Sequence, residues 1–294
     1  MLDDQTQPMP WAIITPSYNL DLRRCKLQCR SMDAFLTGPW HHYIIVDPVD
    51  LPLFSPLASS RRNIINKADI LPAGMRYLGK VPFMRLGRLW YSWRHGPVFG
   101  WQMQQIVKML MASFLKENAI VFCDSDIFFL RPFNISALER EGRVKFSSEE
   151  VQKVFDHKLI RNSVELLGLN PLETTRLATD DPMVTWHRPT AIALQEYLTE
   201  LHKRPWHEAI GSKIMFAEFQ MYSLFVDYIQ KNNPLIYRDN TVYCKTLWTK
   251  EQAHETDIET FCTNLTQNQV AVCIQSLIGI DLDLLERQFQ KSLM

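Results

Sequence analysis

The chain has 294 residues, 46% of them hydrophobic, enough to bury one large core or two small ones and inconsistent with disorder. Lysine plus arginine and aspartate plus glutamate each number 32, so the formal charge is zero and no global field would draw the protein onto nucleic acid or an anionic membrane. An anionic partner must be recognised locally.

The acidic start, Met1-Leu2-Asp3-Asp4-Gln5, has no basic region followed by an apolar run, as a secretory signal would. No stretch approaches the roughly 20 apolar residues that cross a bilayer. The expectation is a cytoplasmic protein with no transmembrane segment and at most peripheral membrane association.

Trp11-Ala12-Ile13-Ile14-Thr15 reads as a buried strand that meets a loop at Pro16-Ser17-Tyr18-Asn19. Residues 20 to 35 have helical spacing, and His42-Tyr43-Ile44-Ile45-Val46 is a second strand closed by Asp47-Pro48. Strand, helix, strand implies a parallel sheet with a right-handed crossover. Cys25 and Cys29 would stack on one helix face, but no second cysteine or histidine pair stands nearby to complete a zinc site, and the scattered cysteines fit a reducing compartment.

Residues 51 to 98 read as loops with short elements, where Arg85, Arg88 and Arg94 are interleaved with Trp90, Tyr91 and Trp93. Those arginines could bind a diphosphate, or snorkel to solvent around core tryptophans. A helix is predicted from 101 to 116, then the apolar strand Ala119-Ile120-Val121-Phe122-Cys123, covered on both faces. Further helices are predicted at 149 to 167, 189 to 202, 213 to 231 and 281 to 291, with strands at 183 to 187 and 270 to 274 and a polar segment over 240 to 268. One α/β domain spanning 1 to 294 is expected.

The apolar strand runs into Asp124-Ser125-Asp126. Two carboxylates at i and i+2 on the carboxyl edge of a sheet repel one another unless a cation offsets both. A hard dication such as Mn²⁺ or Mg²⁺ suits carboxylate and phosphate oxygens together. Capping of an ordinary turn is the plainer alternative.

Val121 to Phe129, preceded by Gly100-Trp101-Gln102-Met103-Gln104-Gln105-Ile106-Val107-Lys108-Met109, resembles the GT-A glycosyltransferases. The likeness is greatest to a family of largely uncharacterised microbial glycosyltransferases and extends to the glycogenin and lipopolysaccharide galactosyltransferase family. It implies a GT-A, Rossmann-like fold with a mixed, mainly parallel sheet, a nucleotide-binding part over about 10 to 133 and an acceptor part over about 134 to 280. It further implies a nucleoside diphosphate sugar donor, a glycan or lipid-linked acceptor, and a place in surface polysaccharide synthesis.

Carried onto these residues, the resemblance assigns Thr15, Ser17, Tyr18 and Asp47 to the nucleotide and Lys108, 16 residues before Asp124, to the donor. Gln105 and Ser125 join the donor site. Asp124 and Asp126 hold the metal, with His254, Gln275 or water as a further ligand. Glu218, isolated in an apolar segment, is a candidate general base whose alternative is a salt bridge to an arginine, and Asp181 is a second acidic candidate.

Rival functions remain. A haloacid dehalogenase phosphatase also sets two aspartates after a strand but expects threonine or valine where Phe128 stands, and a nucleotidyltransferase would want glycines in the Ile13 to Tyr18 loop. A non-catalytic sugar-binding protein is the third alternative.

Overall fold

The computed structural model of the chain describes residues 9–80, 88–94, 96–151, 158–213, 215–255 and 257–294. Its elements, in chain order, begin with β1 (Trp11–Pro16), α1 (Leu22–Phe35), β2 (Trp40–Val46) and β3 (Arg62–Asn66). Next come β4 (Met75–Lys80), β5 (Arg88–Ser92), β6 (Gly96–Phe99), α2 (Gly100–Phe114), β7 (Ala119–Phe122) and β8 (Ile127–Phe129). The second half supplies β9 (Thr185–His187), α3 (Arg188–His202), α4 (Glu218–Leu224), β10 (Cys244–Leu247), β11 (Ala271–Ile274) and α5 (Leu282–Ser292).

The central sheet runs β3-β2-β1-β7-β9. The first four strands are parallel, and β9 lies antiparallel on β7 with Thr185 opposite Val121. The fold is α/β with a mixed, mainly parallel sheet. Strands β1 and β7 are apolar at every position because both faces are covered. Ala12, Ile14, Ile120 and Phe122 pack with α2, while Trp11, Ile13, Ala119 and Val121 pack with Leu27, Met32 and Phe35 of α1.

The chain leaves β1 for β2 on one side and comes back as β7 on the other, so strand order reverses between β1 and β7. At such a reversal the loops after the two strands run to opposite sides, and the crevice this makes at the carboxyl edge is where open α/β sheets take their ligands. Immediately beyond β7 the chain turns into β8, which pairs antiparallel with β11, itself parallel to β10. The Cys123 to Asp126 turn is thereby held between two sheets.

Several sequence expectations need correction. The 51 to 98 region is not mainly loop: β3 extends the central sheet, and β4, β5 and β6 form an antiparallel meander. The alternation in β3 was hidden because Arg62 takes an inward position, buried on His42 and Asp33. The helix expected over 149 to 167 is shorter, Lys158–Leu166, with Ser148–Glu150 a strand; residues 152 to 157 lie outside the described part. The helix expected from 213 begins at Glu218 and ends in a π-helical turn, Phe225–Ile229. Asn162 donates to Met215 O at 2.6 Å and Ser163 Oγ accepts from Ala217 N at 3.0 Å, so side chains replace the helical partners of that stretch. The polar 240 to 268 segment holds β10 and two short helices, Lys250–Glu255 and Ile258–Thr263.

Gly38 turns the chain from α1 into β2 with φ +91°, and a Cβ there would sit 2.6 Å from Asn134 Oδ1, so only glycine fits. All six cysteines are free and buried; Cys25 and Cys29 pack with Ile44, Val46 and Phe54 as small hydrophobes. Among the described residues, no helix is long and apolar enough to cross a membrane.

Candidate active site at the crevice between β1 and β7

The turn after β7 is fixed before its side chains do anything. Cys123 N donates to Ile14 O at 3.0 Å, Ile127 N to Asp124 O at 3.0 Å, and Ile274 N to Asp126 O at 3.1 Å. From α1, the Gln28 amide donates to Asp124 O at 2.6 Å and to Cys123 O at 3.1 Å. Both aspartates therefore stand at the strand's carboxyl end in unequal surroundings. The Asp124 side chain is 41% exposed, whereas Asp126 is buried. Burial, with the charge of Asp124 second, pushes the Asp126 carboxyl up to about 7.

Lys108 projects from α2 beneath the turn. Its ammonium lies 3.1 Å from Asp124 Oδ1 and 3.3 Å from Glu218 Oε1. Burial pulls the Lys108 pKa down, but the two carboxylates outweigh it and the net shift is upward. Burial raises Glu218, against the opposing pull of Lys108. The Gln105 side-chain amide faces the Glu218 carboxylate, an arrangement that only its nitrogen, as donor, can satisfy. Glu218 is the first residue of α4, not mid-helix as expected, and its partner is a lysine rather than an arginine.

Two residues that sequence reasoning missed complete the electrostatics. Asp21 caps the crevice from the loop after β1, its pKa raised by burial and further by Asp124. Arg24, one turn into α1, donates to Ile274 O at 3.1 Å and lies in the field of both Asp126 and Asp21. Four carboxylates, Asp21, Asp124, Asp126 and Glu218, thus share two cations, Arg24 and Lys108. With all four ionised, two negative charges would be left over among the described residues, the charge of one divalent ion. Among the described residues, no group of three His, Cys, Asp or Glu could by itself hold a metal. A dication here would take Asp124 and Asp126 and leave its other positions to oxygen atoms of a ligand or water, which suits Mg²⁺ or Mn²⁺.

The other predicted site residues fall into two sets. Tyr18 is partly exposed in the loop after β1, with the Arg88 guanidinium 5.8 Å from its ring centroid, and Ser17 and Ser125 are buried in the loops after β1 and β7. Thr15 and Asp47 are turned inward. Thr15 is fully buried, and its hydroxyl donates to Cys123 O at 2.6 Å. Asp47 is held by Lys67 at 2.5 Å and by Arg88 at 2.6 Å, and Arg88 also pairs with Asp50 and donates to Asn19 Oδ1 at 2.7 Å. That network bolts the β4 to β6 meander to the loops after β1 and β2. Of the remaining arginines, Arg94 is exposed and pairs with Glu208 at 3.1 Å, and Arg85 lies outside the described residues. Trp90 is core while Trp93 is exposed.

The side chain of His254 also lies outside the described part; its backbone is in the Lys250–Glu255 helix. Gln275 follows β11 directly, next to the Ile274 amide that binds Asp126 O. Gln104 is half-buried on α2 and Trp101 half-exposed at its start.

Asp181 is brought to the same rim by the β9 to β7 pairing, close enough that the Cys123 thiol senses both Asp124 and Asp181. Its Oδ1 accepts from Met183 N at 3.0 Å, and burial, partly offset by Lys145, raises its pKa to about 6. It lines a small cavity of about 20 Å³ walled by Phe146, Phe219 and Tyr222 with Thr185 and Ser223.

Nothing in the local sequence links Asp21, Arg24 or Gln28 to Asp124; only the parallel pairing of β1 with β7 does so. Residues 9–291 match a family of unknown function, DUF6492. No curated protein matches the chain.

Proposed function

The chain belongs to this family of unknown function, and we propose that it is a metal-dependent glycosyltransferase of GT-A type, moving a sugar from a nucleoside diphosphate sugar to a hydroxyl of a glycan or lipid-linked acceptor. The observation that carries this reading is the surplus of carboxylates over cations around Asp124 and Asp126 among the described residues, set at the point where strand order reverses. A cation bound there would neutralise charge on the departing nucleoside diphosphate. The strand order, the acidic turn after a buried strand and the basic residue on the preceding helix all support the GT-A reading.

In this scheme Asp124 and Asp126 hold the ion, Lys108 holds Asp124 at a fixed angle, and Arg24 offsets the buried charge of Asp126. Tyr18, Ser17 and Ser125, in the loops after β1 and β7, are the residues this scheme sets toward the nucleotide. Of the two candidate bases, Asp181 is the better placed. It lines that small cavity beside the acidic turn, and a pKa raised to about 6 would let it take a proton from an acceptor hydroxyl near neutral pH. Glu218 is closed in by Lys108 and Gln105, which suits it to positioning Lys108. A base at Asp181 would serve an inverting transfer.

The test is calorimetric titration of uridine and guanosine diphosphates with and without Mn²⁺, on wild type and on Asp124→Asn/Asp126→Asn. Mn²⁺-dependent binding that disappears in a folded double variant is expected. Undiminished nucleotide affinity in that variant would refute the site.

A further inference from the structure

Four buried side chains from four different elements form a chain of hydrogen bonds that ends on the backbone of the acidic turn. Arg62 on β3 donates Nε–H to His42 Nδ1 at 3.0 Å. His42 on β2 lies 2.8 Å by Nε2 from Thr15 Oγ1 on β1. Thr15 lies 2.6 Å from Cys123 O, and Gln28 on α1 donates to Cys123 O and Asp124 O. Every member is buried.

The direction of each bond follows from the first. Arginine has no acceptor, so Nδ1 of His42 must be the bare nitrogen and Nε2 must carry the proton. Nε2–H therefore donates to Thr15 Oγ1. The one hydroxyl hydrogen of Thr15 is then left for the Cys123 carbonyl, a shorter contact than the 3.3 Å to Gln28 Oε1. The Gln28 amide, with two hydrogens, bridges two successive carbonyls and so fixes the two peptide planes that flank the Asp124 Cα, which sets the direction in which the Asp124 side chain leaves the backbone.

We propose that Thr15 and Gln28, oriented through His42 and Arg62, are positioning residues that aim Asp124 at the cation. This role rests on the functional reading above and deepens it, since it assigns Thr15 to the turn that holds the metal rather than to the nucleotide. A preset backbone matters because Lys108 anchors only the inner face of Asp124, whose side chain is otherwise half open to water.

The experiment measures Mn²⁺ affinity by the electron spin resonance of the free ion, without nucleotide, alongside thermal unfolding. Thr15→Val keeps the shape and loses the hydroxyl; Thr15→Ser keeps the hydroxyl; Gln28→Met keeps the length and loses the amide. Ile44→Val, beside Thr15 in the register of β1 with β2, is the packing control. Thr15→Val and Gln28→Met are expected to weaken Mn²⁺ on the order of 10- to 100-fold, while Thr15→Ser and Ile44→Val keep wild-type affinity whatever their stability. Should Thr15→Val not fold, Gln28→Met carries the same comparison. Wild-type affinity in Thr15→Val or Gln28→Met, or an equal loss in Ile44→Val, overturns the positioning role. A wild-type protein that takes up no Mn²⁺ instead ends the functional reading, and this role with it.

Discussion

The Lys108 ammonium stands 3.1 Å from the Asp124 carboxylate, and the two side chains differ in exposure, 3% against 41%. The cation is shielded and the anion is open, so the pair anchors Asp124 from below while leaving its outer face to a ligand. Lys108 also carries Glu218, which is almost fully buried, so a single ammonium supports two carboxylates.

Loss of that ammonium should be costly. Lys108→Met leaves Glu218 as an uncompensated buried charge, and a destabilisation of about 3 kcal/mol or more is expected in urea unfolding. Adding Glu218→Gln should recover part of it, because the orphaned charge goes too. Strict additivity of the two changes would show that the buried pair is not coupled.

Asp126 is expected to weaken the metal-free protein. Its pKa rises from 3.8 to about 7 in the fold. The native state therefore holds the proton more tightly than the unfolded chain, and this contribution is full below about pH 4 and lost as pH rises through about 7. Once ionised, the group costs on the order of 4 kcal/mol. Metal-free Asp126→Asn should outlast wild type in urea at about pH 8 and lose that advantage at about pH 4. Identical midpoints at the higher pH would contradict the burial argument.

The two candidate bases separate by kinetics. Asp181→Asn should lower turnover by about 10²- to 10⁴-fold with nucleotide affinity unchanged, and wild-type turnover should fall as pH drops below about 6, where Asp181 protonates. Glu218→Gln should instead lower nucleotide affinity together with stability, through Lys108. The opposite pattern would give the proton to Glu218.

Arg88 tests the assignment of Asp47. Arg88→Met leaves two buried carboxylates, Asp47 and Asp50, short of a partner and should cost about 3 kcal/mol. Mn²⁺ affinity should not change, since the network lies on the far side of β1 from Asp124. A fall in Mn²⁺ affinity matching that of a substitution at Asp124 would place Arg88 in the metal site itself.

Where the sequence was legible, one face-independent signal sufficed. The all-apolar runs at 11 to 15 and 119 to 123 could only be strands covered on both sides, and they are β1 and β7. The helices expected over 20 to 35 and 281 to 291 also lie close to where the pattern puts them, at Leu22–Phe35 and Leu282–Ser292. The pattern failed where polar side chains take backbone or core positions, as Arg62 does in β3 and as Asn162 and Ser163 do before α4.

The sequence by itself determined that two carboxylates end a buried strand, because their spacing and the apolar residues before them are local facts. Only the tertiary structure decided which charges surround them. Asp21 and Arg24 arrive through the pairing of β1 with β7, Glu218 through the packing of α4 on α2, and Gln28 through the seat of α1. The reason is physical: a carboxylate's protonation and direction depend on what lies within a few ångströms of it, and those neighbours come from distant segments, Gln28 lying 96 residues from Asp124, whose proximity no local periodicity encodes.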